Sequence, residues 1–284
     1  MKESTSSVQC RDGVELAMQF WVPEGEARGV VALVHGQGEH MGRYAHVAQA
    51  MAEAGLAFAA YDLRGHGLSG GKRGHTPSYT SHMYDMEEFL EAVEGKYPGL
   101  PCILYGHSLG GGLVLNYCLR RRPSLAGVIV TSPWLELAFA PPKSQITLAR
   151  ITNSVYPGLV QHSGLETAAL SHDPQVIAAY KDDELVHDRI TARQFFEVHN
   201  AGLWALDHAS EWELPLLLMH GTGDRITSHE ASRSFAQRAK GQIEFRTWIG
   251  LFHELHNELE KARVIQTMVN WINAHLLDSR GRGT

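Results

Sequence analysis

Apolar and polar positions along the chain alternate between two periods. Short, mainly apolar runs lie at 29–35, 56–62, 101–107, 125–131 and 215–220, the pattern of strands buried on both faces. Between them apolar residues recur at helical spacing: the Ala-rich stretch 44–54, then Met83, Met86, Leu90 and Val93, then 109–120. After the last run come a helix over 228–240, a strand over 243–249 and an amphipathic helix over 258–277. Ahead of the first run, 7–11 and 16–22 read as two strands turned at Asp12-Gly13. This order predicts an α/β fold, a mostly parallel sheet flanked by helices on both faces.

The alternation stops at Ser132-Pro133 and resumes at Pro215. From Trp134 to His208 there is no buried strand. Pro141-Pro142 opens this interval, Leu148, Ile151 and Val155 share one helical face, and Pro157-Gly158 ends that helix. Val176, Ile177 and Tyr180 mark a second helical cluster. The spacing predicts a core of 1–133 and 209–284 interrupted by a helical cap of 134–208. The polar end, 278–284, reads as frayed. There is no internal repeat.

The chain has 284 residues, 44% of them apolar and 20% charged, which excludes disorder and fibrous classes. A formal charge of −6 gives no support to a nucleic-acid partner. Cys10, Cys102 and Cys118 are an odd number without a C-x-x-C pair, so they suggest no disulfide framework and a reducing, cytoplasmic setting. The first residues carry charge and hydroxyls with no apolar core of a signal peptide. No apolar run reaches the roughly 18 residues of a spanning helix.

The strongest chemical signal is Gly106-His107-Ser108-Leu109-Gly110. It matches G-x-S-x-G where a strand should turn into a helix. Such a tight turn strains the serine backbone and demands small residues two before and two after it. The helix N-terminus behind Ser108 favours developing negative charge. A nucleophilic serine needs a base, and the base an orienting acid, in the chain order serine, acid, histidine. Asp224 follows the strand ending at His220, and His253 follows the strand after that. Both therefore sit at carboxyl ends of strands, where open α/β sheets build their sites. His256 as base and Glu136 as acid rank below them. The oxyanion donors are expected to be the backbone N–H groups of Leu109 and, in the loop after the first central strand, Gln37.

Three other patterns lead elsewhere. Gly65 to Gly70 satisfies G-x-G-x-x-G, but Gly71-Lys72-Arg73-Gly74 follows it where a dinucleotide site needs a helix. It reads as a loop supporting the site. His253 and His256 stand three apart, not the four of a zinc helix, so no metal is expected there. Cys102 and Cys118 fall on a strand and a helix and read as small buried hydrophobes.

On these residues the chain resembles the monoacylglycerol lipase and lysophospholipase branch of the α/β-hydrolases. The matching stretches are His35-Gly36-Gln37-Gly38-Glu39-His40 with Arg43-Tyr44, the run from Asp62 to Ser69, Gly106 to Gly111, Pro133, His220 to Asp224 and His253 to Glu258. In the cap, Leu170 to Pro174, Tyr180, Asp183 and Val186-His187 are also similar. The likeness spans nearly the whole chain. It implies a serine ester hydrolase of single-chain lipids with a mobile cap over an apolar acyl tunnel. Carried over position by position, the triad falls on Ser108, Asp224 and His253 and the oxyanion donors on Gln37 and Leu109. Gln37 is a departure, since similar lipases often have a small residue there.

The expected partner is a small lipid ester, with no metal or organic cofactor. Leu148, Ile151 and Val155 would serve acyl-chain entry or brief, hydrophobic contact with a membrane surface. A peptidase or acyltransferase on the same framework is the alternative enzyme. A non-catalytic ligand-binding module would be expected to lack a triad member, and none is missing.

Overall fold

A computed structural model describes residues 1–281, without the side chains of 145 and 277–281. In chain order the elements are β1 (Lys2–Gln9), β2 (Glu15–Val22), β3 (Val30–Val34), α1 (Ala45–Glu53), β4 (Ala57–Tyr61), α2 (Tyr79–Lys96), β5 (Cys102–His107), α3 (Leu109–Arg121) and β6 (Gly127–Thr131). They continue as α4 (Lys143–Val155), β7 (Val160–His162), α5 (Pro174–Asp182), β8 (Arg189–Thr191), α6 (Ala192–Asp207), β9 (Leu216–Gly221), α7 (His229–Arg238), β10 (Ile243–Trp248) and α8 (Lys261–Gly281). Eight strands form one sheet in the order β1-β2-β4-β3-β5-β6-β9-β10. From β4 to β10 all neighbours are parallel; β1 and β2 pair antiparallel at one edge.

Side chains of a strand point alternately to the two faces, so each continuous apolar run supplies both cores at once. Val31, Leu33, Phe58, Ile103, Tyr105, Ile129 and Leu217 face α1 and α8, whose Val47, Met51, Val264, Met268 and Ile272 complete one core. Ala32, Val34, Ala59, Leu104, Val128, Val130 and Leu218 face the other way, toward Met86 and Phe89 of α2, Leu115 of α3, Val198 of α6 and Phe235 of α7.

Four details depart from the sequence expectation. β1 covers 2–9 instead of 7–11. Its residues are almost all exposed and polar, and the full backbone ladder from Lys2↔Val22 to Gln9↔Glu15 holds it, so no apolar alternation marks it. α2 begins earlier than its apolar spacing, at Tyr79, behind the N-cap Ser78, whose hydroxyl accepts from Ser81 N–H. Between β6 and β9 the segment is not purely helical: β7 and β8 form a short antiparallel ribbon, half of its residues exposed. At the other end α8 continues over 278–281, and 282–284, included in the frayed end expected from sequence, lie outside the described residues.

The carboxyl ends of β3, β5, β9 and β10 open on the same edge of the parallel sheet. Ser108 stands directly after β5, and the loops that follow β3, β9 and β10 carry Gln37, Asp224 and His253.

Candidate active site

Ser108 joins β5 directly to α3 at φ 53°, ψ −116°, a left-handed backbone that costs a non-glycine residue about 1–3 kcal/mol. The turn is held from three sides. Ser108 N–H donates to Thr131 O (3.0 Å), and Ser108 O accepts from Gly112 N–H (3.0 Å) and Trp134 N–H (2.8 Å). The glycines around it are forced by close approach: a Cβ at Gly106 would stand 2.6 Å from Gly110 O, and one at Gly110 would stand 2.0 Å from Val34 O.

His253 Nε2 lies 2.9 Å from Ser108 Oγ, and His253 Nδ1 lies 2.7 Å from Asp224 Oδ2. The three side chains form one continuous relay, all of it buried. Asp224 is fully committed. Its Oδ1 accepts from the Ile226 (2.7 Å) and Thr227 (3.0 Å) N–H groups, while His220 Nε2 (3.0 Å) and the Thr227 hydroxyl (3.0 Å) join His253 at Oδ2. Burial alone would raise the Asp224 carboxyl. The His253 charge, with hydrogen bonds from His220 and His253, instead holds it well below the usual carboxylate range. Burial would likewise lower His253, but the Asp224 carboxylate and its hydrogen bond raise it above the ordinary imidazole value. The Ser132 hydroxyl anchors the histidine loop by donating to His253 O at 2.8 Å.

The two lower-ranked candidates serve other purposes. His256 is fully buried, stacks on Tyr44 with ring centroids 4.5 Å apart, and points Nδ1 at the Tyr105 hydroxyl. Glu136 lies beside Asp207 and Glu230 in a separate shallow groove. The G-x-G-x-x-G stretch is a loop in which the Asp62 carboxylate accepts from Leu68 N–H and, across to the next loop, from Met41 N–H, both at 2.7 Å.

At the loop after β3, Glu39 Oε1 takes the Gly36 N–H at 2.7 Å, and Gln37 follows on the wall of the cavity that also holds Ser108. Leu109 opens α3, so its N–H is one of the first-turn donors that a helix leaves without an internal partner. Behind this loop, Arg43 bridges Glu39 and Glu254 with bonds of 2.6–2.7 Å. Burial would raise Glu254, but the two-pronged Arg43 contact brings it down to about 2, whereas burial leaves Glu39 raised.

Ser108 and His253 open on a cavity of about 630 Å³ walled largely by apolar side chains, among them Trp134, Leu137, Ile146, Leu170, Phe195 and Ile226. That volume is in the range of small-molecule sites. Of the three residues expected to meet substrate from residues 134–208, Leu148 lines the cavity mouth. Ile151 and Val155 do not reach its wall; they are 58% and 79% exposed. Ile146 and Ala149 occupy the turn of α4 that faces the cavity, and Val155 stands about half a turn round from Ile146.

Sequence reasoning missed His220, Thr227 and Ser132 as supports of the relay. His220 was in view as the last residue of its strand, yet nothing in its spacing shows that its ring folds back on Asp224. It also missed the side chain of Gln37, whose amide meets Arg189 O and Gln194 across the cavity.

Residues 25–260 match the Hydrolase_4 family, described as serine aminopeptidase, S33. The chain is 35% identical over 266 residues to a monoacylglycerol lipase of Mycolicibacterium smegmatis, covering 93% of this chain and 95% of that one. It is 30% identical over 260 residues to human monoglyceride lipase, covering 87% and 82%. It also aligns at 31% identity with an uncharacterized abhydrolase domain-containing protein of Dictyostelium discoideum, of whose length it spans 30%. Among solved structures, a monoacylglycerol lipase of Paleococcus ferrophilus superposes with a TM-score of 0.83 at 32% identity, over 97% of this chain and all of that one. A soluble variant of monoglyceride lipase from Saccharomyces cerevisiae, at 24% identity, shares the fold with a TM-score of 0.85 over 93% of each chain. The matched span and the shared parallel sheet establish that this chain belongs to the Hydrolase_4 family and has the α/β-hydrolase fold.

Proposed function

We propose that this chain hydrolyses single-chain lipid esters, of the monoacylglycerol and lysophospholipid kind, through an acyl-enzyme on Ser108. The observation that carries the reading is the unbroken relay from Ser108 through His253 to Asp224 at the base of a mainly apolar cavity. Ser108 Oγ attacks the ester carbonyl as His253 Nε2 takes its proton. Asp224 keeps the imidazole with its Nδ1 proton inward and stabilises the imidazolium. The Gln37 and Leu109 backbone N–H groups receive the oxyanion. His253 then protonates the leaving alcohol. Water, deprotonated by His253, attacks the acyl-enzyme and releases the fatty acid, and the proton returns to Ser108. Every step is carried by groups of this chain.

Residues 134–208 act as a cap over that cavity, and relatives named monoacylglycerol lipase and monoglyceride lipase support the lipid substrate. Phe139, Leu148, Ile151, Val155, Tyr156 and Leu159 are exposed around the cavity mouth and α4, which supports peripheral contact with a lipid surface. Among the described residues no helix is long and apolar enough to cross a membrane. With a net charge of −6 the contact is hydrophobic and weak. Three free cysteines are in keeping with a reducing, cytoplasmic setting.

The family description favours weighing a peptidase. An aminopeptidase has to hold its substrate's ammonium group with carboxylates. Those lining the cavity are Glu39, Glu166 and Glu254; Arg43 engages the first and last and Arg225 the other. This favours the ester. The test is a panel of monoacylglycerols of rising chain length, diacylglycerols, lysophospholipids and aminoacyl amides. The reading expects the single-chain esters to be turned over fastest; preferred cleavage of the amides would overturn it.

A further inference from the structure

The oxyanion loop is bound to the cap by a chain of side-chain amides whose direction is fixed. Gln37 Nε2 lies 3.1 Å from Arg189 O. A backbone carbonyl only accepts, so the Gln37 amino group points there and its Oε1 faces Gln194. Gln194 Nε2 then donates to that Oε1 at 3.3 Å. This leaves Gln194 Oε1 to accept from His82 Nε2 at 3.2 Å, which places the His82 proton on Nε2. His82 Nδ1 is accordingly left without a hydrogen-bond partner, 4.0 Å from Asp85. Burial, lowering the ring to about 4, keeps it neutral. Gln194 and His82 are almost wholly buried. The far end of the chain is thus rooted in α2 of the core, and its middle in α6 of the cap.

The same stretch of cap grips the loop by its backbone. His187 N–H donates to Gly38 O at 2.9 Å, and Gly38 is at φ +79° with no room for a Cβ, which would stand 2.4 Å from His187 O. Thr191 caps α6 by accepting from Gln194 N–H, which fixes where Gln194 starts from. Residues 187–194 and 36–38 therefore form one connected unit, to which α4 is tied by Arg193 Nε donating to Asn153 Oδ1 at 2.9 Å and β7 by its pairing with β8.

From this geometry we infer that Gln194 is a positioning residue for the oxyanion hole: through the Gln37 side chain it sets the direction of the Gln37 backbone N–H. The inference rests on the proposed role of that N–H in ester hydrolysis. Gln194→Glu retains the shape and still accepts from His82, but a carboxylate has no hydrogen for Gln37 Oε1. Gln37→Met retains the backbone N–H and breaks the same link from the other side.

The experiment measures turnover of dissolved p-nitrophenyl butyrate by the full chain for Gln194→Glu, Gln37→Met, the double variant and Ser108→Ala. The expected result is a kcat lowered about tenfold in each single variant, less than the ~10²–10³ for loss of a donor, with KM within about twofold. The double variant should again lose about tenfold, not about a hundredfold, because both changes cut one link. Affinity for a trifluoromethyl ketone, which forms an oxyanion on the serine, should fall by the same factor. Additive losses, a raised KM at unchanged kcat, or parental kcat in Gln194→Glu would overturn the inference. If Gln194→Glu does not fold, Gln37→Met at a half-buried position carries the same reading. Inactive Ser108→Ala beside a fully active Gln194→Glu removes the positioning role alone; active Ser108→Ala removes the serine mechanism and the inference with it.

Discussion

Replacing Asp224 with Asn changes one atom, and the hydrogen-bond accounting around it decides the outcome. The Ile226 and Thr227 N–H groups, 2.7 and 3.0 Å from Oδ1, are backbone donors that cannot reverse. The amide oxygen of the substituted side chain must therefore occupy the Oδ1 position, which drives its NH₂ group to the place of Oδ2. That site is 2.7 Å from His253 Nδ1 and 3.0 Å from His220 Nε2. The two amide hydrogens then have two imidazole lone pairs to meet, and the Thr227 hydroxyl turns to Ser132 O at 3.0 Å. His220 has a second partner for its displaced proton, the Ser232 hydroxyl at 2.8 Å from Nδ1. Everything stays satisfied, but His253 now carries its proton on Nε2, facing Ser108, and has no lone pair with which to take the serine proton. Asp224→Asn should fold with a Tm close to the parent and lose roughly 10⁴ in kcat, the cost of a wrong tautomer in a serine triad. That factor corresponds to about 5 kcal/mol of transition-state stabilisation. The assay is kcat and KM on a dissolved p-nitrophenyl ester, with thermal unfolding alongside. A variant that retained a tenth of the parental kcat would refute the tautomer argument, and so would one whose loss was matched by a collapse in Tm.

Three further outcomes follow from the same contacts. On the acid side, kcat/KM should fall as pH drops through the His253 value, because protonation removes the base; Asp224 raises that value, so the limb should sit above the ordinary imidazole range, and a limb below it in the pH–rate profile would contradict the pairing. Arg43→Ala strands Glu39 and Glu254, both almost fully buried, and should cost about 3–5 kcal/mol in urea unfolding; Glu254, at about 2 when folded, contributes stability above the ordinary glutamate value that is lost as pH falls toward 2, and this acid dependence should shrink in the variant. Ile151→Ser with Val155→Ser should weaken co-sedimentation with neutral lipid vesicles several-fold while hydrolysis of a dissolved short ester changes by less than about twofold; unchanged sedimentation would dismiss α4 as the contact.

The central strands were legible because burial on both faces leaves an apolar run in the sequence. Val30–Val34, Ala57–Tyr61 and Gly127–Thr131 are buried at every position. Ser108, Asp224 and His253 were legible for a related reason: strand ends could be located, and an open parallel sheet gathers its carboxyl ends on one rim. β1 was placed too late since hydrogen bonds, not side chains, hold it to the sheet. α6 did leave a signal, Phe195, Val198, Gly202 and Ala205 at helical spacing after the N-cap Thr191, and mixed polar residues obscure it. The His220 and Ser132 supports and the Gln37–Gln194–His82 chain join residues up to 157 positions apart, and no local pattern encodes which distant side chain an amide will meet. The exposure of Ile151 and Val155 depends in the same way on how α4 is rotated against the cavity.

The most direct test treats the full chain with a fluorophosphonate ester and locates the adduct by mass spectrometry of its peptides. One adduct per chain, on Ser108, with labelling slowed by orders of magnitude in His253→Ala, is the predicted result. Labelling at another residue, or full esterase activity in a protein whose Ser108 remains unmodified, would contradict the account.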